Sequence, residues 1–262
     1  MSKTNYENLE NLKNALEDSL KPKLLEETYV SEYGDLSKMN SEKLILNAVG
    51  EEMLREIVSD YLDLLGTSGA VYEKNGDYAL GIFSSGWCRL MDSASRKLCD
   101  TEDNEKALSC GKWLCHESCW GSCSKISIET KQPVDIECNG GIRLYAVPII
   151  VDNEAVGAIN FGYSSPPNDI EKLQILSDKF NIDIEKLKKA SSEYTKQPDV
   201  IFKIAKNRLR IAANLIGPII KSYLLRRELN ENSTVLIKTQ NKLIATNEKF
   251  RLSNKNLQGL NE

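Results

Sequence analysis

The sequence predicts an α+β fold in which a central antiparallel sheet is flanked by helices and followed by a long C-terminal helix. Apolar residues recur at helical spacing from Ser41 to Leu65. Short apolar runs joined by turn residues follow, and helical spacing returns after residue 168. Helices and antiparallel strands in separate blocks are typical of the α+β class. No internal repeat interrupts this order.

Length and composition fit a globular protein. The 262 residues include 41% hydrophobic and 27% charged residues, with a net charge of −4. No run of about 18 apolar residues occurs, and the N-terminus lacks the apolar centre of a signal peptide. We therefore expect no membrane span and a cytoplasmic protein with reduced thiols.

The N-terminal region, residues 1–40, is predicted to form a helix and a linker. Residues 41–65 form the first strongly amphipathic helix, with Gly66 as its C-terminal cap. Two strands follow at 69–73 and 78–83, joined by a turn that contains Asn75-Gly76, a strong hairpin signal. Residues 87–98 return to helical spacing.

The next strands are predicted at 134–138, 144–151 and 155–163. Pro148 inside the second of them indicates an edge position or a bulge, because proline cannot donate a ladder hydrogen bond. Helices are then expected at 169–179, with Asn168 as N-cap, and at 183–194.

A long helix is predicted from Pro198 onwards, with a kink at Gly217-Pro218. Leucine or phenylalanine recurs every seven residues in its second half, at Leu229, Leu236, Leu243, Phe250 and Leu257. The companion heptad positions are polar, which leaves two readings open: a weak dimeric coiled coil or a solvated helix. Residues 200–262 carry twelve Lys or Arg against four Asp or Glu, spread along the helix, so we expect a solvated basic face and no direct nucleic-acid binding.

The cysteines carry the strongest chemical signal. All seven lie between Cys88 and Cys138, and the sole histidine, His116, lies among them. Cys115, Cys119 and Cys123 are four residues apart and predict a stripe on one side of a helix. The stripe is open to three interpretations: buried or pocket-lining thiols, ligands of a metal or iron–sulfur cluster, and a thiol redox switch.

Two further readings concern individual side chains. Cys115 beside His116 allows a small thiol enzyme, although no orienting group or oxyanion site is evident. The aromatic residues, including Trp87, Trp120 and Tyr145, are numerous enough to line an apolar pocket for a small organic ligand.

Several motifs together resemble a known family of sensory domains. They are Trp87-Cys88-Arg89-Leu90, Cys99-Asp100, the run from Leu114 to Trp120, the run from Val134 to Ile149, and Gly157 to Tyr163. Over roughly residues 45–225 the chain resembles the PocR/GAF-type sensory domains of prokaryotic histidine kinases and transcriptional regulators, and Cys88, Cys99 and Cys138 occupy the cysteine positions of the PocR-like branch. The chain departs from the pattern at Asn139, where a histidine is common, and in its extra thiols.

The resemblance implies a PAS/GAF-like sandwich without catalysis of its own. The implied division is a sensory domain at 41–168, a helical extension at 169–197 and a signalling helix or coiled coil at 198–262. The ligand is expected to be a small molecule. The predicted ligand-binding residues are Trp87, Cys88, Cys115, Cys119, Trp120, Cys138, Arg143 and Tyr145.

The resemblance also leaves a metal alternative open. An iron–sulfur cluster, haem or zinc would be held by residues drawn from Cys88, Cys99, Cys115, Cys119 and Cys138.

The expected partners are a second copy through the C-terminal helix and an output module such as a histidine kinase.

Overall fold

The protein contains a five-stranded antiparallel sheet with helices on both faces. The computed structural model describes residues 31–83, 85–194 and 197–258. Its strands are ordered β2-β1-β5-β4-β3. Their bounds are β1 (Ser68–Glu73), β2 (Tyr78–Phe83), β3 (Val134–Glu137), β4 (Arg143–Val151) and β5 (Glu154–Tyr163). The predicted α+β class and all five predicted strands are confirmed.

The helices predicted at 87–98 and after residue 168 also lie close to their predicted positions, whereas the helix at Asn104–Ser109 was not predicted. The helices are α1 (Leu44–Val49), α2 (Glu51–Leu65), α3 (Gly86–Lys97), α4 (Asn104–Ser109), α5 (Leu114–His116), α6 (Lys125–Thr130), α7 (Ile170–Phe180), α8 (Ile184–Ser192) and α9 (Asp199–Gln258). A π-helical segment, Glu117–Ser124, joins α5 to α6. A short 3₁₀ turn, Leu36–Met39, precedes α1. The helix predicted at the N-terminus falls on residues outside the described ranges.

Two local predictions were wrong. The helix expected from Ser41 to Leu65 is divided at Gly50, whose φ of 88° is outside the helical range and suits a residue without a Cβ atom. Asp169 caps α7 in place of Asn168, and its carboxylate accepts hydrogen bonds from the N–H groups of Glu171 and Lys172.

The position of Pro148 agrees with the prediction. β3 pairs only with the first four residues of β4, from Arg143 to Ala146. Pro148 lies beyond them, where it pairs with Ala158 of β5. At this point the missing N–H of proline leaves no ladder partner unsatisfied on the β3 side.

The two faces of the sheet have different coverings because side chains alternate along each strand. On β4, Tyr145, Val147 and Ile149 pack into the main core with α1, α2 and α9. Leu144 and Ala146 point to the other face, where they meet Cys123 of the π-helical segment. The helices α7 and α8 pack against α3 in a separate apolar cluster.

The long helix α9 is buried in its first third and exposed after that. Ala205, Leu209, Ile216 and Ile220 are fully buried against the sheet and the first helices. From residue 225 to residue 251 every side chain is exposed. The helix runs on through Pro218. Within the described residues, no helix combines the length and apolar content that crossing a membrane requires.

Candidate ligand-binding site

The three consecutive helical segments from Leu114 to Thr130, hereafter the thiol helix, form one wall of the candidate site. The predicted helical stripe of Cys115, Cys119 and Cys123 is present, but Cys119 and Cys123 belong to the π-helical segment. Cys123 is fully buried against β4, and its Sγ lies 3.9 Å from the carbonyl oxygen of Leu144. Single π segments inside α-helices occur often at functional sites.

Two asparagines hydrogen-bond the thiol helix to the rest of the domain. Asn160 of β5 is buried, and its Nδ2 donates to the Cys119 carbonyl at 3.1 Å and to Ser124 Oγ at 2.9 Å. Asn139 donates from its backbone N–H to Ser118 Oγ at 2.9 Å and from Nδ2 to the Leu114 carbonyl at 3.0 Å. Because these bonds reach the π-helical segment from both sides, its position over the sheet is well defined.

Four of the predicted cysteines converge in one region, hereafter the thiol site: Cys88, Cys115, Cys119 and Cys138. Cys88 lies on α3, and Cys138 immediately follows β3. Cys88, Cys115 and Cys138 share one apolar cluster with Met91. Burial raises the pKa of Cys115 and Cys119 well above the ordinary value, and neighbouring thiols raise it further. The thiol site is therefore protonated and neutral at physiological pH.

The fifth cysteine of the predicted metal set lies elsewhere. Cys99 follows α3, and its Sγ is 3.0 Å from Cys110 Sγ. Among the side chains that the structure describes, no three of His, Cys, Asp and Glu are close enough together to hold a metal ion. The metal alternative therefore stays a prediction, without a preformed three-ligand cluster among the described residues to support it.

An aromatic wall, formed by Tyr72, Tyr78, His116 and Trp120, continues the thiol site over β1 and β2. The Tyr72 ring is 4.5 Å from the Tyr78 ring and 5.3 Å from the Trp120 ring, centroid to centroid. The Tyr78 hydroxyl is 3.0 Å from His116 Nδ1. Burial lowers the pKa of His116 to about 4, so the imidazole is neutral at physiological pH and its hydrogen bond with Tyr78 joins two uncharged groups.

The Tyr72 hydroxyl is the unsatisfied polar group of this wall. Tyr72 is fully buried, and its hydroxyl has no hydrogen-bond partner within the described structure. Burial, with the nearby Tyr78 as the second cause, raises its pKa well above the ordinary value. An unpaired buried hydroxyl is unfavourable by about 1–3 kcal/mol, so a bound molecule with a polar atom would relieve it.

Trp87 and Trp120 lie at the two ends of the site. Trp87 is buried in the cluster of α3, α7 and α8, and its Nε1 donates to the Gly140 carbonyl at 3.1 Å. This bond holds the turn that carries Cys138. Trp120 packs over Gly76 and the Tyr72 ring. Both predicted tryptophans therefore border the thiol site.

Comparison with known proteins decides the family. A family model described as the sensory domain found in PocR matches residues 48–221, which is most of the chain. The chain belongs to the PocR sensory domain family. As a PocR domain, it is a signal-input domain.

The other comparisons add little to the PocR assignment. No curated protein matches the sequence. A solved GAF domain/HD domain protein from Geobacter sulfurreducens aligns over 68% of this chain and 97% of that chain. Its sequence identity is 10% and its TM-score is 0.32, which is too low to support an argument.

The structure separates Arg143 and Tyr145 from the thiol site of this PocR domain. Both side chains alternate onto the face of β4 that carries α9. Arg143 donates to Asp135 and Tyr163, and Lys206 of α9 donates to Asp135 at 2.6 Å and to the Tyr163 hydroxyl at 2.7 Å. Tyr145 lies under Lys206, whose Nζ is 5.2 Å from its ring centroid. These residues form an ionic cluster at the start of α9, on the opposite face from the predicted ligand.

The alternative of a thiol enzyme at Cys115 gains no geometric support. An activated nucleophile needs a lowered pKa, and the pKa of Cys115 is raised. His116 directs Nδ1 to Tyr78, and its own pKa is lowered. Neither pKa shift favours the thiolate and the basic imidazole that nucleophilic catalysis requires.

The sequence prediction missed the polar residues that border the site. Tyr72, Tyr78 and Asn160 lie on strands and read as ordinary core or surface positions. Asp92 on α3 is also buried, where it accepts hydrogen bonds from the Tyr33 hydroxyl at 2.5 Å and from Trp113 Nε1 at 2.9 Å. The only sequence signal for Asp92 was its position four residues after Cys88, which places both side chains on the same face of α3.

Asp92 and His116 are expected to give stability opposite dependences on pH. Burial raises the pKa of Asp92 to about 6, so the native carboxyl keeps its proton and stability falls as pH rises from about 4 to about 6. His116, with its pKa lowered to about 4, loses stability as pH falls from about 6.5 to about 4. Urea unfolding across this range should show Asp92→Asn gaining stability with rising pH more steeply than wild type, by about 1–3 kcal/mol.

Two further variants test whether Asp92 and His116 cause this pH dependence of stability. His116→Gln should change the slope in the opposite direction. Asp100→Asn, which removes an exposed carboxylate that follows α3, should track wild type. If the Asp92 and His116 variants changed the slope in the same direction, the assignment of the two buried groups would be wrong.

Proposed function

We propose that this PocR domain binds a small, neutral, mainly apolar molecule at the thiol site. On this proposal it signals as a cytoplasmic homodimer, through α9, to an output module such as a histidine kinase. The observation that carries the proposal is the convergence of Cys88, Cys115, Cys119 and Cys138 beside the unpaired Tyr72 hydroxyl. Apolar walls with one or two oriented polar groups are characteristic of small-molecule sites.

The charge state of the walls supports a neutral ligand. Burial raises the pKa of the thiols and tyrosines and lowers that of His116. A charged ligand would lose its hydration without gaining a counter-charge from these groups, at a cost of several kcal/mol. A molecule with one polar atom for Tyr72 and an otherwise apolar body suits the site best.

The strand β3 supports a route from the site to α9. Val134 and Ile136 pack against Cys119, Cys123 and Cys138 on the site face. Asp135, between them, points to the other face and pairs with Lys206 of α9 at 2.6 Å. The four-residue strand β3 contacts both the thiol helix and α9. A ligand that moves the thiol helix would therefore shift Asp135 and with it the start of α9.

The test is binding of neutral organic molecules to the full chain. A panel of small alcohols, ketones and amides is screened by ligand-observed NMR. Cys119→Phe, which fills the site, should abolish binding of any hit. Ile126→Phe, at an exposed position of the same helix, should leave it intact.

Tyr72→Phe gives a second, independent readout. Removal of an unpaired buried hydroxyl should raise the free energy of unfolding by about 1–3 kcal/mol, while a ligand that pairs with it binds more weakly. Tyr78→Phe should instead destabilise by about 1–3 kcal/mol, because His116 loses its partner. The proposal fails if no member of the panel binds, or if binding survives Cys119→Phe.

A further inference from the structure

Cys99 and Cys110 form a thiol pair separate from the thiol site. Their Sγ atoms are 3.0 Å apart, closer than two sulfur atoms in ordinary contact and about 1 Å longer than a disulfide bond. Cys99 follows the end of α3 and is buried, whereas Cys110 caps the C-terminus of α4 and is exposed. The pair thus combines one thiol that solvent reaches with one that solvent does not.

The surroundings make the two thiols chemically unequal. The backbone N–H of Lys112 donates to Cys110 Sγ at 3.3 Å. Although partial burial acts to raise it, the Cys99 thiol and the N–H groups of Lys112 and Trp113 lower the pKa of Cys110. Burial and the neighbouring Cys110 raise the pKa of Cys99 to about 12. Cys110 is therefore the more readily ionised thiol of the pair, and Cys99 is the one that keeps its proton.

We propose that Cys110 is a site of oxidation by hydroperoxides and that Cys99 resolves the product to an intramolecular disulfide. The Cys110 thiolate attacks one peroxide oxygen, the S–O bond forms as the O–O bond breaks, and hydroxide or alkoxide leaves. The Cys99 sulfur then attacks the sulfenic acid, the S–S bond forms, and the departing oxygen leaves as water with the Cys99 proton. Two thiols are oxidised by two electrons, and the peroxide is reduced to water or an alcohol.

The location of the pair connects its oxidation to the start of the thiol helix. Three residues after Cys110 comes Trp113, which is buried and donates to Asp92, and the thiol helix begins at Leu114. A disulfide would close the loop that contains α4 and would draw Cys110 toward α3. This inference does not depend on ligand binding, because both thiols lie outside the thiol site.

The experiment uses the full chain, reduced under anaerobic conditions and treated with hydrogen peroxide in stoichiometric amounts. Trypsin cleaves after Lys97, Lys106 and Lys112, so Cys99 and Cys110 fall on different peptides. Differential alkylation and mass spectrometry should find those peptides joined. The joining should be at least about tenfold faster than oxidation of any other thiol, because each pKa unit changes the thiolate fraction about tenfold.

Single variants separate the two roles. Cys99→Ser should accumulate a sulfenic acid at Cys110 that dimedone traps, and Cys110→Ser should leave Cys99 reduced at the same dose. Cys123→Ser, which alters a fully buried thiol of the thiol helix, should behave as wild type once circular dichroism shows that it is folded. Faster oxidation of another cysteine, or a disulfide between two chains, would overturn the proposal.

Discussion

Leu236→Asp combined with Leu243→Asp should convert the proposed dimer of this PocR domain to a monomer. Both leucine side chains are exposed on α9, with exposed fractions of 69% and 68%. They belong to a seven-residue repeat that continues through Leu229 and Phe250. An apolar stripe along a solvated helix is characteristic of a seam that a second helix covers.

The expected effect is large because the new carboxylates would be buried in the seam. One uncompensated buried charge costs about 3–5 kcal/mol, so dimerisation should weaken by roughly 100-fold or more. Sedimentation equilibrium measures the change directly. Because the companion heptad positions Gln240 and Asn247 are polar, the wild-type seam is weak enough for the loss to be complete.

A control on the same helix matches the change in charge. Asn241→Asp combined with Ala245→Asp also adds two negative charges, but at heptad positions that face away from the leucines. This pair should leave the dimer unchanged. A wild-type chain that sediments as a monomer would refute the proposed dimer, and a leucine variant that stays dimeric would place the interface elsewhere.

Gly217→Ala should destabilise the domain by about 2 kcal/mol. A Cβ atom at Gly217 would lie 2.3 Å from the backbone carbonyl oxygen of Ile150, a contact that no side-chain rotation can relieve. The neighbouring Ile216 and Ile220 are fully buried, so α9 can move away from β4 only by opening this packing. Overpacking of this kind costs about 1–3 kcal/mol, which exceeds the helix propensity gained from alanine.

Gly86→Ala is the matched control, because it is the same substitution in a helix with open space around it. It should stabilise by up to about 1 kcal/mol, through helix propensity alone. Urea unfolding of the two variants should therefore give shifts of opposite sign. Equal shifts would mean that α9 is not held closely against Ile150.

Much of the architecture was predictable because it depends on local patterns. Alternating apolar residues, the Asn75-Gly76 turn and Pro148 defined the strands, and helical spacing defined the helices. The break at Gly50 was missed because the apolar spacing continues across it, whereas the backbone needs a positive φ at that residue.

The candidate site was only partly predictable. The clustering of cysteines in sequence singled out Cys88, Cys115, Cys119 and Cys138, whose side chains lie in adjoining apolar clusters. The same reasoning grouped Cys99 with them, although it pairs with Cys110. Position along the chain cannot separate the two sets, because the packing of α3, α4 and the thiol helix decides which sulfur atoms meet.

Local patterns and family resemblance were enough to predict an α+β sensory domain with a cysteine-rich centre and a long helix beyond it. Three features depend on packing between distant segments: Arg143 and Tyr145 face α9, the Tyr72 hydroxyl is unpaired, and β3 contacts both the thiol helix and Lys206. Strand alternation was readable from the residues, but the face of the sheet that each helix covers was not. That choice is made by contacts between residues far apart in the chain, and local spacing carries no information about them.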